Sequence, residues 1–327
     1  MPPYDKPFKA YPDLISFLVN SHGLNITDLA FAEHALKTFS YYDLINGYKD
    51  SMMDASDRFK PGVSIEYLYT FFLFDKKFQS ILFSQIVFIE NYLKTTLAYC
   101  IARDFGVHQN SYLDAKNYNY ASKAVKFTDL QNQIQWVMTG PHPFQPTAYY
   151  LVKHNHVPPW ILFKNIKFSH AINLFRVLKS PQKNYVVDEM IPGSIIPQRE
   201  KIEFLISGLN LIRQCRNLIA HNLKFVTYRG SQKDTLKSKA VLSFLPATLV
   251  SQNDINRGVG TNDIYAVILF IYQILNTSYL KSLFLKDLIN CITPEDGEYP
   301  LFPAYAAITK LPTDMALRLT DTLKLLK

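Results

Sequence analysis

The chain has 327 residues, of which 48% are hydrophobic and 19% charged. This composition supports a substantial packed core and excludes a largely disordered protein. The 11 glycines are few for this length and favour packed helices over loop-rich β structure. The 35 Lys and Arg residues outnumber the 27 Asp and Glu residues and give a net charge of +8, so the partner class to test is RNA, DNA or an anionic membrane surface.

The first 63 residues are predicted to form short N-terminal helices. Residues 11–20 and 27–39 place apolar side chains at helical spacing, and an aromatic cluster at 41–48 follows them. Pro61 and Gly62 then break the chain.

The segment 64–106 carries the strongest helical signal in the sequence. It contains no proline and no glycine before Gly106, which is a natural helix stop. Its few charged residues leave most of the circumference apolar, so a long central helix, or two abutting helices, is expected to be buried.

The remaining elements are predicted from apolar spacing and turn residues. They are a connecting region at 107–158 with a helix near 129–138, helices within 160–225, a small β-hairpin pairing 225–228 with 241–244, and C-terminal helices within 263–327, the first of them spanning 263–292. Residues 264–280 are too short and too polar a stretch to span a membrane, so they are expected to form a buried helix. The predicted fold class is therefore all-α, in a single domain over residues 1–327, with additional helices and this one candidate hairpin.

Cysteine usage and the N-terminal residues indicate the compartment. Cys100, Cys215 and Cys291 are widely spaced and form no CxxC pair, so neither a disulfide framework nor a zinc knuckle is expected. The first residues lack the apolar core of a signal peptide. We therefore expect free thiols and a cytoplasmic location.

A polar stripe follows the helix predicted at 202–223. Arg213, Asn217 and His221 are each four residues apart and share one face, and the side chain of Arg216 is long enough to reach that face. Arginine binds phosphate through a fixed fork of donors, and histidine exchanges protons near neutral pH. With the 2′-hydroxyl of RNA as nucleophile, such a set can cleave a phosphodiester without a metal or any other cofactor.

Spacing alone leaves two alternatives open. Arginine followed five residues later by histidine is a loose pattern, which also occurs at Arg103 and His108 across Gly106. We take that second pair as a chance match, although it is also a candidate second half-site. For the first pair, a purely structural polar stripe fits the spacing equally well.

Two weaker features receive structural interpretations. His154 and His156 lack a third metal ligand nearby, so a solvated loop is favoured and no metal site is expected. Aromatic and lysine residues alternate within 112–127 and resemble a base-stacking surface, but a surface loop is the safer interpretation. The residues concerned are Tyr112, Lys116, Tyr118, Tyr120, Lys123 and Lys126.

The basic excess of the chain lies in residues 151–245, which hold 15 Lys and Arg residues against 5 Asp and Glu residues. Basic residues that follow the polar stripe within this segment are predicted to contact RNA phosphates. They are Lys224, Arg229, Lys233, Lys237 and Lys239.

The stretch Arg216-Asn217-Leu218-Ile219-Ala220-His221-Asn222 resembles the RN…AH signature of HEPN-superfamily ribonucleases. Further motifs precede it in a matching order: Tyr41-Tyr42 to Gly47-Tyr48, Leu73-Phe74-Asp75, Ile89 to Thr95, and Pro158-Pro159-Trp160. Together they resemble the abortive-infection AbiD/AbiF-like family over roughly residues 5–290. The resemblance implies an all-α HEPN fold, RNA cleavage without metal, and toxic arrest of phage-infected cells. It also implies association with a small noncoding RNA and, because each chain carries one good motif, a homodimer.

The resemblance assigns roles to individual positions. Arg216 would contact the scissile phosphate, His221 would be the catalytic or phosphate-orienting imidazole, and Asn217 would hold their geometry. Glu90 and Lys94 match a family pair that, with Arg213, would support the site, although a helix-steadying ion pair explains Glu90 and Lys94 equally well. Two positions depart from the family pattern: Lys164 stands where an acidic residue is expected, and Asn222 stands where histidine is common.

The predicted function is a metal-independent endoribonuclease acting in phage abortive infection or as a toxin. The rival from another class is a non-catalytic RNA-binding regulator that uses the same basic residues. A third interpretation is a scaffold in which the polar stripe forms a dimer interface.

Overall fold

The computed structural model describes residues 6–119, 126–193, 196–294 and 300–326. Within these ranges β structure is limited to isolated bridges, and the all-α prediction is confirmed. The α-helices are α1 (Tyr11–Asn20), α2 (Leu29–Tyr41), α3 (Lys49–Met52), α4 (Ile65–Phe105), α5 (Gln109–Tyr112), α6 (Phe127–Thr139), α7 (Thr147–Lys153), α8 (Pro159–Asn165), α9 (Phe168–Val177), α10 (Ser180–Met190), α11 (Gln198–Ala220), α12 (Ser238–Phe244), α13 (Gln252–Asn256), α14 (Ile264–Ile274), α15 (Ser278–Ile292), α16 (Phe302–Thr309) and α17 (Met315–Lys324). A π-helical turn, Tyr42–Asn46, follows α2.

Helix α4 confirms the prediction for residues 64–106 as one continuous helix of 41 residues. The Ser64 hydroxyl accepts a hydrogen bond from the Tyr67 N–H at its start. Gly106 ends it with a φ of 88°, a backbone conformation that glycine adopts without steric penalty.

The chain forms two compact units. The first comprises Met1–Ser80, Leu218–Tyr228 and Asn290–Thr313. The fully buried ring of Tyr305 lies 5.1 Å from Phe74 and 5.2 Å from Phe78, measured between ring centroids. Aromatic packing of this kind, on the first turns of α4, forms the core of this unit.

The second unit comprises Ile81–Asn217, Arg229–Ile289 and Asp314–Lys327. Helix α14 is buried along nearly its whole length, as expected for its uninterrupted apolar sequence. None of the helices in the described part of the chain has the length and apolar character that a membrane crossing needs. The single-domain organisation over residues 1–327 stays a prediction.

Two predicted elements are wrong. No β-hairpin forms, because residues 241–244 belong to helix α12 and residues 225–228 form a turn. The Phe244 ring packs 4.6 Å from the Phe204 ring, so helical packing outweighs the β propensity of this short apolar run. The helix predicted at 263–292 is two helices, because the Thr277 hydroxyl accepts the Leu280 N–H and starts α15 anew.

The connecting region contains the predicted helix near 129–138, which is α6. Tyr112 and Tyr118 are buried, and their hydroxyls donate to the carbonyls of Val157 and Tyr112. These two rings are therefore part of the core and are not accessible for stacking on bases. Tyr120 and Lys123 lie outside the described residues.

Candidate functional site

The motif helix α11 ends earlier than predicted, at Ala220, and His221 is its C-terminal cap. The Asn222 N–H donates to the Ile219 carbonyl at 3.0 Å, and the Leu223 N–H donates to the Leu218 carbonyl at 3.0 Å. This pair of hydrogen bonds is the Schellman motif, which requires a left-handed residue after the cap. Asn222 supplies it with a φ of 52°.

His221 is exposed at this helix end. Its position is fixed by the backbone of the capping turn, while the imidazole itself faces solvent. An exposed imidazole on a rigid turn can reach a bound substrate and exchange a proton with it.

Asn222 connects the end of α11 to two other segments of the first unit. Its side-chain oxygen accepts a hydrogen bond from Lys76 Nζ at 2.5 Å. Its side-chain nitrogen donates to Asp43 Oδ2 at 3.0 Å. Asp43 lies in the π-helical turn and Lys76 lies on α4, so the turn after His221 is held from both sides.

These residues line a small cavity of about 30 Å³, which is enough room for about one water molecule. The lining includes residues from three of the segments that carry the family resemblance: residues within 42–48, Asp75 and Asn222. Sequence reasoning singled out these motifs but missed Asp43 and Lys76 as partners of the motif helix. The sequence signal that could have identified them is their position, because Asp43 directly follows Tyr42 and Lys76 directly follows Asp75.

Asp75 lies beneath this cavity as a buried carboxylate. The hydroxyls of Tyr48 and Tyr305 each donate to it at 2.8 Å. Burial raises the pKa of Asp75 above its ordinary value, and it does so against hydrogen bonds from Gln79 and the two tyrosines. Burial also lowers the pKa of Lys76.

Lys224 was predicted to contact RNA phosphate, and it is held within the first unit instead. Its Nζ lies 2.6 Å from Asp50 Oδ2. The ion pair lowers the pKa of Asp50, chiefly through the hydrogen bond. A phosphate that contacts Lys224 would share its ammonium group with this carboxylate.

Arg216 and Asn217 are neighbours on the part of α11 that belongs to the second unit. Arg216 Nη1 donates to Asn217 Oδ1 at 3.4 Å, and the guanidinium lies 5.8 Å from the centre of the Phe83 ring. Within the described residues, the buried Nε of Arg216 has no hydrogen-bond partner. A buried donor without a partner is unfavourable.

Arg213, one turn before Arg216, adds a second positive charge to this helix. Burial lowers the pKa of Arg176. Asp234 acts in the opposite direction, and the charge of Arg213 lowers the pKa further. The helix face that carries Arg213 and Arg216 is therefore cationic and suited to phosphate.

Glu90 and Lys94 form an ion pair with each other on α4. Lys94 Nζ lies 2.7 Å from Glu90 Oε1, and both side chains are largely shielded from solvent. This geometry is that of an i,i+4 pair steadying a helix.

The remaining residues predicted to contact RNA differ in exposure and in the structural contacts that they make. Lys237 pairs with Glu203, and Lys239 Nζ lies 3.0 Å from Glu200 Oε1. The backbone of Arg229 forms a β-bridge with Asp263. Lys233 lies exposed on a single 3₁₀ turn.

The second arginine and histidine pair has structural partners. Arg103 Nε lies 2.6 Å from Asp104 Oδ1, and its guanidinium lies 4.5 Å from the centre of the Tyr185 ring. His108 Nδ1 accepts the Asn110 N–H and caps α5. Both side chains thus contribute to local structure. No group of three or more potential metal ligands occurs in the part of the chain that the structure describes.

Comparison with known proteins gives one match. Residues 34–226 match the family model described as Abi-like protein. This range contains the aromatic cluster, the whole of α4 and the whole motif helix. No curated protein matches the chain, and no solved structure matches it.

Proposed function

The chain belongs to the Abi-like protein family, and from this premise we propose that it is a metal-independent endoribonuclease of the HEPN type. Family membership associates it with abortive-infection defence. The observation that carries the proposal is the motif itself. Arg216 has a buried, unpartnered nitrogen, and His221 is exposed at the end of the same helix.

The proposed reaction uses the substrate's own 2′-hydroxyl as the nucleophile. Arg216 binds the scissile phosphate and stabilises the negative charge that grows on it, with Asn217 holding the guanidinium. His221 exchanges the proton of the attacking hydroxyl or of the leaving 5′-oxygen. The products are a 2′,3′-cyclic phosphate and a free 5′-hydroxyl.

We propose that the active form is a homodimer. Each chain carries one RN…AH motif, and a second copy related by a two-fold axis supplies a second Arg216 and His221 at the same site. Arg213 and the cationic face of α11 then position the RNA backbone, and a small noncoding RNA is a candidate regulator.

The test is cleavage of a 5′-labelled single-stranded RNA by the purified protein in EDTA. We expect wild-type protein to release cyclic-phosphate products, and Arg216→Ala and His221→Ala each to lower the rate at least 100-fold (roughly the worth of one catalytic group). Matched controls are Arg257→Ala and His34→Ala, which change exposed residues outside the motif. Thermal unfolding of every variant verifies folding.

Three outcomes separate the rival functions. Loss of cleavage in both motif variants, with both controls active, supports the nuclease. Equal cleavage in all five proteins contradicts it. RNA binding without cleavage by any variant identifies a non-catalytic RNA-binding regulator, which is favoured only by the basic excess of residues 151–245.

A further inference from the structure

A groove of about 770 Å³ lies on the second unit, and its described lining includes none of Arg213, Arg216 and Asn217. It is lined by the C-terminal half of α6, the following loop at 140–144, and residues 165–170. Its volume falls in the range that small-molecule and cofactor sites occupy. Neither the family match nor the proposed nuclease chemistry assigns a role to it.

Two large aromatic side chains in this groove are exposed to solvent. Trp136 is 64% exposed and Phe144 is 79% exposed. A Cβ atom added at Gly140 would lie 3.3 Å from two atoms of the Trp136 indole. The absence of a side chain at Gly140 therefore lets the chain pass closely beside the ring. Both rings line the same groove, and they give it an exposed apolar surface that a ligand can cover.

The polar residues of the groove favour an anionic, hydrogen-bonding ligand. Among its described lining residues there is no Asp and no Glu, whereas Lys167, His142 and His170 are present. Asn132 and Gln133 add amide groups, which can pair with the edges of nucleobases.

His170 adds a half-buried imidazole to the lining of the groove. Its buried Nδ1 has no hydrogen-bond partner within the described ranges. Burial lowers the pKa of His170, and the positive charges of Lys167 and Lys94 lower it further. The imidazole is therefore neutral at neutral pH, and it can accept as well as donate a hydrogen bond.

We infer that this groove binds unpaired bases of single-stranded RNA, with Trp136 and Phe144 as stacking platforms and Lys167 on the adjacent phosphate. The inference rests on the proposed function, because it identifies single-stranded RNA as the substrate of the proposed nuclease. Every base presents a π face, so stacking tolerates many sequences. The lack of carboxylates and the positive charge of the lining favour RNA over an apolar peptide.

The experiment measures equilibrium binding of a fluorescent 12-nucleotide single strand to the full chain carrying His221→Ala, so that cleavage does not interfere. In this background we expect Trp136→Ala to weaken binding about tenfold, because stacking on one aromatic ring contributes that order of affinity per base. Trp136→Phe should stay within about threefold, because a ring remains. The matched control is Trp160→Ala, which removes the other tryptophan, 48% exposed and outside the groove.

Lys167→Ala tests the phosphate contact separately. The slope of the logarithm of the binding constant against the logarithm of the salt concentration should become shallower by about 0.7, the value for one phosphate contact on a single strand. Blunt duplex RNA of the same length should bind with an affinity that Trp136→Ala does not change, because its bases are not free to stack.

The outcomes distinguish this inference from the proposed function. If wild type cleaves RNA and Trp136→Ala and Phe144→Ala both bind within twofold of their parent, the groove inference is wrong and the nuclease stands. If binding depends on Trp136 but wild type cleaves nothing, the groove stands and the nuclease falls. If Trp136→Ala splits a dimer in light scattering without changing RNA affinity, the groove is a self-association surface and the inference is overturned.

Discussion

Asn222 combines a backbone role and a side-chain role directly after the candidate catalytic histidine. Its left-handed backbone, with a φ of 52°, closes the capping turn of α11. Its amide bridges Lys76 and Asp43. Asparagine tolerates the left-handed region better than most residues because its short polar side chain makes local hydrogen bonds. The departure from the family pattern at this position therefore keeps the turn intact.

Substitutions at Asn222 separate the two roles. Asn222→Gly keeps the backbone conformation but loses the hydrogen bonds, and we expect the free energy of unfolding to fall by about 1 kcal/mol. Alanine also disfavours the left-handed backbone, so Asn222→Ala should lower the free energy of unfolding by about 2 kcal/mol. Urea unfolding monitored by circular dichroism measures both. Equal losses in the two variants would show that the left-handed backbone adds nothing to stability.

At this scale, spacing in the sequence predicts relations only between residues that are close together along the chain. Arg213 and Asn217 share a face of α11, because a helix relates neighbours by a fixed geometry, whereas His221 lies in the capping turn after α11 ends at Ala220. The partners of Asn222 lie 146 and 179 residues away. No local pattern predicts a hydrogen bond over such separations, because it depends on how the segments pack.

Helix α11 packs against α14 at Gly208. A Cβ atom at this position would lie 2.0 Å from two ring carbons of Phe270, far closer than van der Waals contact allows. The neighbouring Phe204 ring lies 5.5 Å from the same phenyl ring, between centroids. Glycine is therefore required here by the close approach of two helices within the second unit, although it is a poor helix former.

Gly208→Ala should lower the free energy of unfolding by about 2 kcal/mol, since overpacking outweighs the roughly 1 kcal/mol that alanine adds in helix propensity. Ser207→Ala, one residue earlier on α11, is the matched control and should change it by less than about 0.5 kcal/mol. Thermal and urea unfolding measure these effects. The double variant Gly208→Ala with Phe270→Leu should recover part of the loss, and no recovery would contradict a clash with that ring.

Helix α17 is attached to α13 by a bidentate ion pair. Arg318 Nη1 and Nη2 lie 2.6 and 3.0 Å from the two oxygens of Asp254, which is 2% exposed. Burial acts to raise the pKa of Asp254, but hydrogen bonds from Arg318 and Ser251 outweigh it and lower the pKa to about 2. The carboxylate is thus ionised and paired at all but strongly acidic pH.

The depressed pKa predicts acid sensitivity with a defined sign. Because the folded pKa of about 2 is below the ordinary value of 3.8, the pair stabilises the fold above pH 4 and this stabilisation is lost as the pH falls from 4 to 2. The loss is about 2 kcal/mol, at about 1.4 kcal/mol per pKa unit. Urea midpoints measured between pH 2 and 5 test it in the wild type.

Two substitutions show which partner of Arg318 matters. Asp254→Asn should lower the free energy of unfolding at pH 7 by about 3 kcal/mol, because it leaves the cation without its buried partner. Asp314→Asn removes the exposed partner of the same arginine, 52% exposed, and should change it by less than about 1 kcal/mol. A larger effect at Asp314 than at Asp254 would contradict this assignment.

For whole elements, a long apolar pattern predicted helical structure but not every break in it, since the helix predicted at 263–292 is interrupted between α14 and α15. The 41 residues of α4 were predicted because an extended run without proline or glycine has few alternatives to a helix. The four-residue run 241–244 was assigned to a strand. Short apolar runs fit both structures, and contact with Phe204 decides this one.

Across the whole chain, net charge overstates the surface available to RNA. Several predicted phosphate contacts already pair with carboxylates, as Lys224 does with Asp50 and Lys239 with Glu200. The aromatic residues that alternate with lysines near 112–127 include two buried rings, Tyr112 and Tyr118, whereas Trp136 and Phe144 are exposed. Net charge indicates a polyanionic partner without choosing among RNA, DNA and a membrane surface, and only the fold shows which basic side chains are already paired.

The proposed dimer predicts a kinetic effect that no single chain would show. If the active site needs two copies of Arg216 and His221, then mixing wild type with excess Arg216→Ala protein forms mixed dimers with an incomplete site. At saturating RNA, a fourfold excess of the variant should reduce the rate per wild-type chain about fivefold (the share of wild-type dimers under random pairing).

The matched control for this mixture is the doubly substituted protein Arg216→Ala with Trp136→Ala, which we expect to bind RNA less well but to pair equally. It should inhibit to the same extent, because inhibition arises from subunit exchange rather than from competition for RNA. An unchanged rate in both mixtures, with light scattering giving a mass of 37.7 kDa, would place the whole site within one chain. Arg103 and His108 would then be the residues to substitute next, because that pair offers the alternative second half-site.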